Sequence, residues 1–359
     1  MHETIKGVFG HFKATGRVTA SEQIVRGHIN RTYLVTHEDL DRKSRKFILQ
    51  KLNTVVFTRP FELMENVVRI SEHIRAKLGA SDDGRGAIRF LSTLDGASAF
   101  DSPEFGFWRA YRYIDNAEGR FSPETEQDAY AAGTAFGRFQ SFLADLPKPR
   151  LHETIPHFHD TRRRFLRLEE SAAANPAGRL GECERELERL LSLRPAALRI
   201  QEAAEAGIIP ERITHNDAKF SNVLLDTADG HPVCVIDLDT CMPGLSHHDF
   251  GDLVRSICNS EPEDGATPDK TSVKLDSYRA LHAGYAKETD SIFSAAEKAL
   301  LPDAGVTLSL ELAARFLTDH LDGDKYFAIR EPGHNLRRAR AQLAFGAKLA
   351  EALPELRAM

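Results

Sequence analysis

Asp217, Asn222 and Asp237 are the side chains whose types and spacing most clearly suggest chemistry. They lie within Thr214–Gly251, a stretch dense in acid, amide and imidazole groups. His215-Asn216-Asp217 is followed by Lys219 and Asn222. Two short apolar runs come next, Val223–Leu225 and Val233–Ile236, separated by the turn-rich Asp226–Pro232. Two β-rich runs split by Asp, Gly and Pro read as a hairpin. In an antiparallel hairpin the residue entering the first strand lies beside the residue leaving the second. Asn222 and Asp237 are therefore expected side by side, with Asp217 one turn of loop away. A hard dication such as Mg²⁺ takes one or two carboxylate or amide oxygens together with phosphate oxygens. Asn222 and Asp237 supply such oxygens, and Asp217 is left to take a proton from an attacking hydroxyl.

His-x-Asp, the step from Asp217 to Asn222, the hairpin and the second Asp together form the layout of a phosphoryl-transfer site in protein-kinase-like enzymes. An acidic loop beside a solvated hairpin is the bland alternative, and it gives no reason for these features to coincide. Asp237-Leu238-Asp239 also reads as the D-x-D of a nucleotide-sugar glycosyltransferase. Asp239 points away from Asp237 if strand geometry persists, and either binds an acceptor hydroxyl or caps a loop. Lys219 either neutralises a transferring phosphoryl group or is simply solvated. His247-His248-Asp249 resembles a metal triad, but adjacent histidines on an extended segment face opposite sides. A loop leading into a helix, with Asp249 as N-cap or loop anchor and Asp252 in the first turn, fits better. His215 is read as a structural loop residue. Arg315, in an otherwise apolar helix with Leu312, Phe316 and Leu317, either snorkels or reaches into a cleft.

The elements that must position these groups fall into two parts, residues 1–114 and 115–359. The first has a short helix over Ile5–Phe12, then strands over Val18–Ile24, Thr32–Val35 and Phe47–Leu52. Between the first two strands, Gly27-His28-Ile29-Asn30 is either an ordinary turn or a loop whose backbone N–H groups cover phosphate. Pro60 opens a helix to Leu78, with Leu63, Val67, Ile70 and Ile74 on its buried face. Ser81–Gly86 is a loop, Ala87–Leu94 and Phe105–Ile114 are strands, and Arg112–Asp115 is a hinge. The second part is helical: Pro123–Leu143, Phe158–Ser171, Glu182–Leu193, Pro195–Ala206, Leu275–Lys287, Ala295–Leu301, Val306–Leu321 and Asn335–Leu353. The arginines 162, 163, 164 and 167 are expected on a solvated face.

A chain of 359 residues suits two lobes. With 42% hydrophobic and 28% charged residues and a net charge of −6, it has the composition of a soluble enzyme and not of a general nucleic-acid or membrane binder. It has no apolar run long enough to span a bilayer and no signal-peptide pattern, so a cytoplasmic location is expected. Cys183, Cys234, Cys241 and Cys258 show no C-x-x-C spacing and read as reduced thiols or core residues. A monomer or weak homodimer is expected.

GHINRTYLV (Gly27–Val35), FILQKLNT (Phe47–Thr54), ETIPHFHDT (Glu153–Thr161), ITHNDAKFSNVL (Ile213–Leu224), VIDLDTCMPG (Val235–Gly244), DFGD (Asp249–Asp252) and RFLTDHLDGDKYF (Arg315–Phe327) occur in order over nearly the whole chain. On these segments the sequence resembles the aminoglycoside phosphotransferase and choline kinase-like family, and within it the sugar kinases that act on N-acetylhexosamines. The resemblance implies an α+β, bilobal protein-kinase-like fold with a small antiparallel sheet and one main helix in the N-lobe and a mostly helical C-lobe. It implies transfer of the ATP γ-phosphate to the anomeric hydroxyl of N-acetylglucosamine or N-acetylgalactosamine. Asp217 is then the base, Asn222 and Asp237 the Mg²⁺ ligands, and His28, Asp239, Arg315 and Tyr326 the groups that hold the sugar. Gly27, Asn30, Gln50, Arg112, Tyr113, Ile114, Lys219 and Ile236 are the expected nucleotide contacts. The alternatives are a related kinase for another sugar, homoserine, choline or an aminoglycoside, or a non-catalytic nucleotide-binding module. Two departures stand out. Gln50 occupies the strand position of the protein-kinase lysine, with Lys51 facing away, and Ser256 stands where the sugar kinases carry a larger aromatic.

Overall fold

The computed structural model describes residues 2–25, 29–79, 83–265 and 267–359. Gly27 and His28 lie outside the described residues. After helix α1 (His2–Phe9), strands β1 (Arg17–Ile24), β2 (Arg31–Glu38) and β3 (Ser44–Lys51) form an antiparallel meander. Helix α2 (Pro60–Leu78) begins at its proline, where the missing N–H needs no partner. Strands β4 (Phe100–Ser102) and β5 (Gly106–Arg112) complete a five-stranded sheet ordered β1-β2-β3-β5-β4. Alternation along β2 sends Tyr33 and Val35 to a core shared with α1, and turns Thr32 and Leu34 to the opposite face. On β3 the same alternation separates Gln50 from Lys51, whose ammonium lies 5.7 Å from the Trp108 ring.

Residues 87–94 do not form the expected strand. They run beside β5 through isolated contacts, Leu91 N to Ala110 O and Arg112 N to Arg89 O, and the Thr93–Asp95–Ala97 turn then breaks the ladder.

Strand β6 (Ala117–Gly119) leads into α3 (Glu126–Leu143), α4 (Thr161–Ala174) and α5 (Glu184–Glu205). Next come β7 (Arg212–Thr214), the hairpin β8 (Val223–Asp226) and β9 (Pro232–Val235), and β10 (Met242–Gly244), which pairs with β7. The expected hairpin is present, and β6 adds a third strand beside β8. Helices α6 (Ser246–Ile257), α7 (Leu275–Thr289), α8 (Ala295–Asp322) and α9 (His334–Leu356) finish the chain. The expected breaks near Pro195 and Pro302 are absent, because α5 and α8 run through them. An internal proline forfeits one backbone bond, and here buried Ala197, Leu198, Leu301 and Ala304 hold the helices in place around it. The chain therefore has the α+β protein-kinase-like fold, an antiparallel sheet with α1 on one face and α2, followed by the helical lobe, on the other. Among the described residues no helix is long and apolar enough to cross a membrane. All four cysteines are free and buried.

The helical lobe is centred on α3 and α7, which meet backbone to backbone. A Cβ on Gly133 would overlap the Leu281 carbonyl, and one on Gly284 would overlap the Tyr130 carbonyl. Gly284→Ala is expected to cost about 1–3 kcal/mol through overpacking. A thermal melt should show a lower midpoint with the far-ultraviolet helical signal unchanged at low temperature.

Candidate active site

The segment after β7 is held by a buried carboxylate. Asp249, fully buried on α6, accepts from the backbone N–H of His215 through Oδ2 at 2.8 Å and of Asn216 through Oδ1 at 2.8 Å. Its Oδ2 also accepts from Gln140 Nε2 at 2.8 Å. Burial pushes the Asp249 carboxyl up, and these donors act against that. Asp249 is thus a loop anchor inside the helix and not its N-cap, since α6 already starts at Ser246. Asp252 falls beyond the first turn and pairs with Arg255 at 2.7 Å. Asn216 adopts a left-handed backbone, φ 63°. Its Nδ2 donates to Thr240 O at 2.9 Å, and Gly244 lets β10 approach because a Cβ there would overlap Thr214 Oγ1. His215 is structural: Nε2 lies 2.9 Å from Ile236 O, and its ring meets the edges of Phe136 and Phe139. His247 and His248 are buried in α6, and burial holds His248 down at about 3.

This frame presents Asp217. Lys219 Nζ donates to both carboxylate oxygens, at 3.1 and 2.8 Å. Asn222 Nδ2 donates to the Asp217 carbonyl at 2.8 Å and to Oδ2 at 3.2 Å. Burial pulls the Lys219 ammonium down, but Asp217, Asp237 and Asp252 together hold it above its ordinary value. The hairpin joins Asn222 to the end of β9, with Ile236 N–H donating to Asn222 O at 2.9 Å. Asp237 follows in a left-handed conformation, φ 63° and ψ 54°.

Asp237 keeps an exposed edge but is otherwise surrounded by protein, next to the buried Leu238 and Asp239. That surrounding, with Asp239 and Asp217 nearby, pushes its carboxyl up to about 6. With the Asn222 amide nitrogen committed to Asp217, its oxygen is the atom left to face a cation. An amide oxygen and a carboxylate among like charges are the donor set that suits Mg²⁺.

Above this floor, Asn30 Nδ2 donates to Asp239 Oδ2 at 2.6 Å, and Asn30 Oδ1 accepts from Asn53 N at 3.0 Å. Gln50 Nε2 donates to Thr32 Oγ1 at 3.0 Å, and Gln50 Oε1 accepts from Arg109 Nε and Nη2 at 2.9 and 2.7 Å. Arg109 Nη1 lies 2.6 Å from Asp239 Oδ1. Asp239 is buried, with Oδ2 hydrogen-bonded to Asn30 and Oδ1 in the ion pair with Arg109. Ile114, Ile236 and Leu224 share one apolar cluster with Tyr111. The hinge residues Arg112, Tyr113 and Ile114 line a cleft of about 720 Å³ whose walls do not include Asp217, Asn222 or Asp237.

Sequence reasoning left the surroundings of Arg315 open. Its guanidinium stacks over Phe158 and Phe327, 5.4 and 5.5 Å from the ring centres, and Tyr326 packs on Phe327 at 4.8 Å. Arg164 was expected on a solvated face, yet it is drawn in. Its Nη2 donates to Phe158 O at 2.7 Å, and burial, with Arg315 beside it, pushes its guanidinium down. Arg162 and Arg167 do pair with surface acids. Next to Phe158, His159 Nε2 lies 3.2 Å from Asn216 O and Nδ1 lies 2.8 Å from Glu311 Oε1. Burial acts to raise Glu311, but His159, with His248 and Arg315 nearby, holds it at about 2, and the Thr161 hydroxyl donates to its other oxygen at 2.6 Å. Arg315 and Tyr326 are therefore tied to the Asp217 loop through Phe158 and His159. The signals for Arg109 and Arg164 were present only as one charge within FGFWRAYRYI and one member of an arginine run.

The raised Asp237 carboxyl gives a signed expectation. Its folded value of about 6 exceeds the ordinary 3.8, so the fold takes up a proton and stability falls as pH rises through that window. Asp237→Asn is expected to raise the melting temperature of the metal-free chain at neutral pH and to lose that advantage below about pH 4. Melts of both proteins across that range check it.

Comparison with known proteins bears on the family and the fold. The model of the phosphotransferase enzyme family matches residues 21–283, well over half of the chain. Among solved structures, a microcompartment-associated aminopropanol kinase is similar at 17% identity and TM-score 0.65, over 99% of this chain and 98% of that one. A choline kinase from Cryptosporidium parvum Iowa II is similar at 12% identity and TM-score 0.59, over 98% and 96%. A spectinomycin phosphotransferase in complex with ADP and spectinomycin is similar at 12% identity and TM-score 0.56, over 99% of each chain. At these identities the structural likenesses speak for the fold. With the family match over residues 21–283, they lead to one conclusion: the chain belongs to the phosphotransferase enzyme family and is a kinase-like enzyme that phosphorylates an alcohol.

Proposed function

We propose that this enzyme transfers the γ-phosphate of ATP to the anomeric hydroxyl of an N-acetylhexosamine, N-acetylglucosamine or N-acetylgalactosamine, giving the sugar 1-phosphate. Residues 1–114 are the nucleotide-binding lobe and residues 115–359 carry catalysis and the acceptor. The observation that carries the choice of acceptor is Arg315 lying over the rings of Phe158 and Phe327, with Tyr326 packed on Phe327 and a second guanidinium, Arg164, close beside it on the Phe158 carbonyl. Such a surface repels a cationic acceptor and suits a neutral, hydroxyl-rich ring that offers a stacking face and many acceptor oxygens. Choline, aminopropanol and aminoglycosides are all cations, and a quaternary ammonium calls for an aromatic cage. Trp108, the sole tryptophan, is buried in the outer core of the sheet instead.

In this reading Asp217 accepts the proton of the anomeric hydroxyl, which is more acidic than an ordinary alcohol. Asn222 orients that carboxylate through its amide, and Lys219 keeps a positive charge where the transferring phosphoryl group passes. Asn222 Oδ1 and the Asp237 carboxylate would hold Mg²⁺. When bound, that ion neutralises phosphate charge, in a reaction where positioning and charge stabilisation dominate. Ile114, Ile236 and Leu224 offer the base an apolar seat. Arg315 and Tyr326 hold the sugar.

The test is ADP release with ATP and Mg²⁺ against N-acetylglucosamine, N-acetylgalactosamine, glucose, galactose, homoserine, choline and kanamycin. Turnover is expected with the N-acetyl sugars, with a product labile to mild acid. Turnover with choline or kanamycin instead would overturn the acceptor assignment. Asp217→Asn is expected to lower turnover by about 10²–10⁴-fold with ADP affinity nearly unchanged. A variant retaining full rate would remove Asp217 as the base.

A further inference from the structure

At the strand position where protein kinases place a lysine, the Gln50 carboxamide is wholly engaged, with its oxygen on Arg109 and its nitrogen on Thr32. The cation at this level of the sheet comes from the neighbouring strand. Gln50 on β3 lies opposite Arg109 on β5. Arg109 is 3% exposed, and its 2.6 Å contact with Asp239 crosses from the sheet to the turn that follows Asp237. A buried ion pair is a poor source of net stability, because desolvation offsets the attraction. What it does supply is register, since a guanidinium whose Nε and Nη2 are hydrogen-bonded to Gln50 and whose Nη1 pairs ionically with Asp239 has little freedom to move. Asp237 needs that service. It sits in a left-handed conformation, two residues ahead of a gripped carboxylate, with Asn30 on the remaining Asp239 oxygen.

We propose that Arg109 is a positioning residue that locks the Asp237 turn onto the N-terminal sheet, so that the metal ligand is set against the nucleotide lobe by a β5 guanidinium in place of a β3 lysine. The proposal rests on the phosphoryl-transfer reading for what Asp237 binds. Arg109 acts through Asp239 and touches neither nucleotide nor acceptor.

The experiment compares the full chain with Arg109→Met, Arg109→Lys, Asp239→Asn and the double variant Arg109→Met/Asp239→Asn. The readouts are melting temperature, ADP affinity with and without Mg²⁺, and kcat and KM with N-acetylglucosamine. Arg109→Met is expected to lower the melting temperature and to abolish most of the gain in ADP affinity that Mg²⁺ gives. It should also reduce kcat about 100-fold, the scale of an ångström-sized misplacement. Metal-free ADP affinity and acceptor KM should stay within about twofold. The double variant should regain the melting temperature, having no lone buried charge, but not the Mg²⁺-dependent affinity.

Recovery of both by the double variant would make Arg109 merely structural. Equal weakening of ADP with and without Mg²⁺ would mean that Arg109 grips phosphate directly, which also overturns the proposal. If Arg109→Met does not fold, Arg109→Lys keeps the charge without the fork. It should show a smaller loss of the same Mg²⁺-dependent affinity, and full retention would count against the proposal. Loss of the Mg²⁺ effect in a chain that phosphorylates none of the acceptors would sink the functional reading and leave Arg109 in place. Sugar turnover with the Mg²⁺ effect intact in Arg109→Met would do the reverse.

Discussion

The Asp249 carboxylate is the constraint on which the site depends. Its oxygens take the consecutive N–H groups of His215 and Asn216, and the Gln140 amide fills the remaining position. A buried carboxylate without such donors would lose its charge, and a loop with Asn216 at φ 63° would relax without such an acceptor. Each therefore needs the other. Asp249 is itself fixed because α6 lies flush on α8, where a Cβ on Gly251 would overlap the Ala304 carbonyl. The packing of the helical lobe is thereby carried to the residue before Asp217.

Two further buried charges work from the flanks of this loop. On one side, Glu311 of α8 reaches the Asn216 carbonyl through His159, so the loop before Asp217 is gripped at its carbonyl as well as at its N–H groups. His159 adjoins Phe158, on which Arg315 stacks, which ties the Arg315 cluster to the same anchor. On the other side, Arg109 and Asp239 join the sheet to the turn after Asp237. Neither pair is a bargain in stability. Both hold the backbone beside Asp217 and Asp237 from a rigid element.

The parts of this arrangement that were legible in the sequence are those set by local geometry. The Asn222–Asp237 hairpin follows from a period and a turn. Helix α2 follows from a proline and a repeat that begin where the structure begins it. What was not legible depends on neighbours distant in sequence. Pro195 and Pro302 look like helix breaks, and only buried tertiary packing keeps α5 and α8 continuous. Residues 87–94 look like a strand, but only fragments of ladder reach β5. Arg164 looked like part of a solvated run because nothing in an arginine run tells which member turns inward. Arg109 shows locally only as a charge in an aromatic strand, because its meaning comes from Gln50 across the sheet and Asp239 across the lobes. Helix α6 was legible in kind but misplaced in detail. Its start at Ser246 leaves Asp249 inside the helix, where it bonds a distant loop and does not cap its own first turn.

The most direct measurement is a crystal structure of the enzyme with Mg²⁺, a non-hydrolysable ATP analogue and N-acetylglucosamine. The account predicts Asn222 Oδ1 and the Asp237 carboxylate on the metal, the anomeric hydroxyl within hydrogen-bond reach of Asp217 and in line with the γ-phosphate, and the sugar against Arg315 and Tyr326. A metal held elsewhere, or a sugar whose anomeric hydroxyl faces away from Asp217, would contradict it.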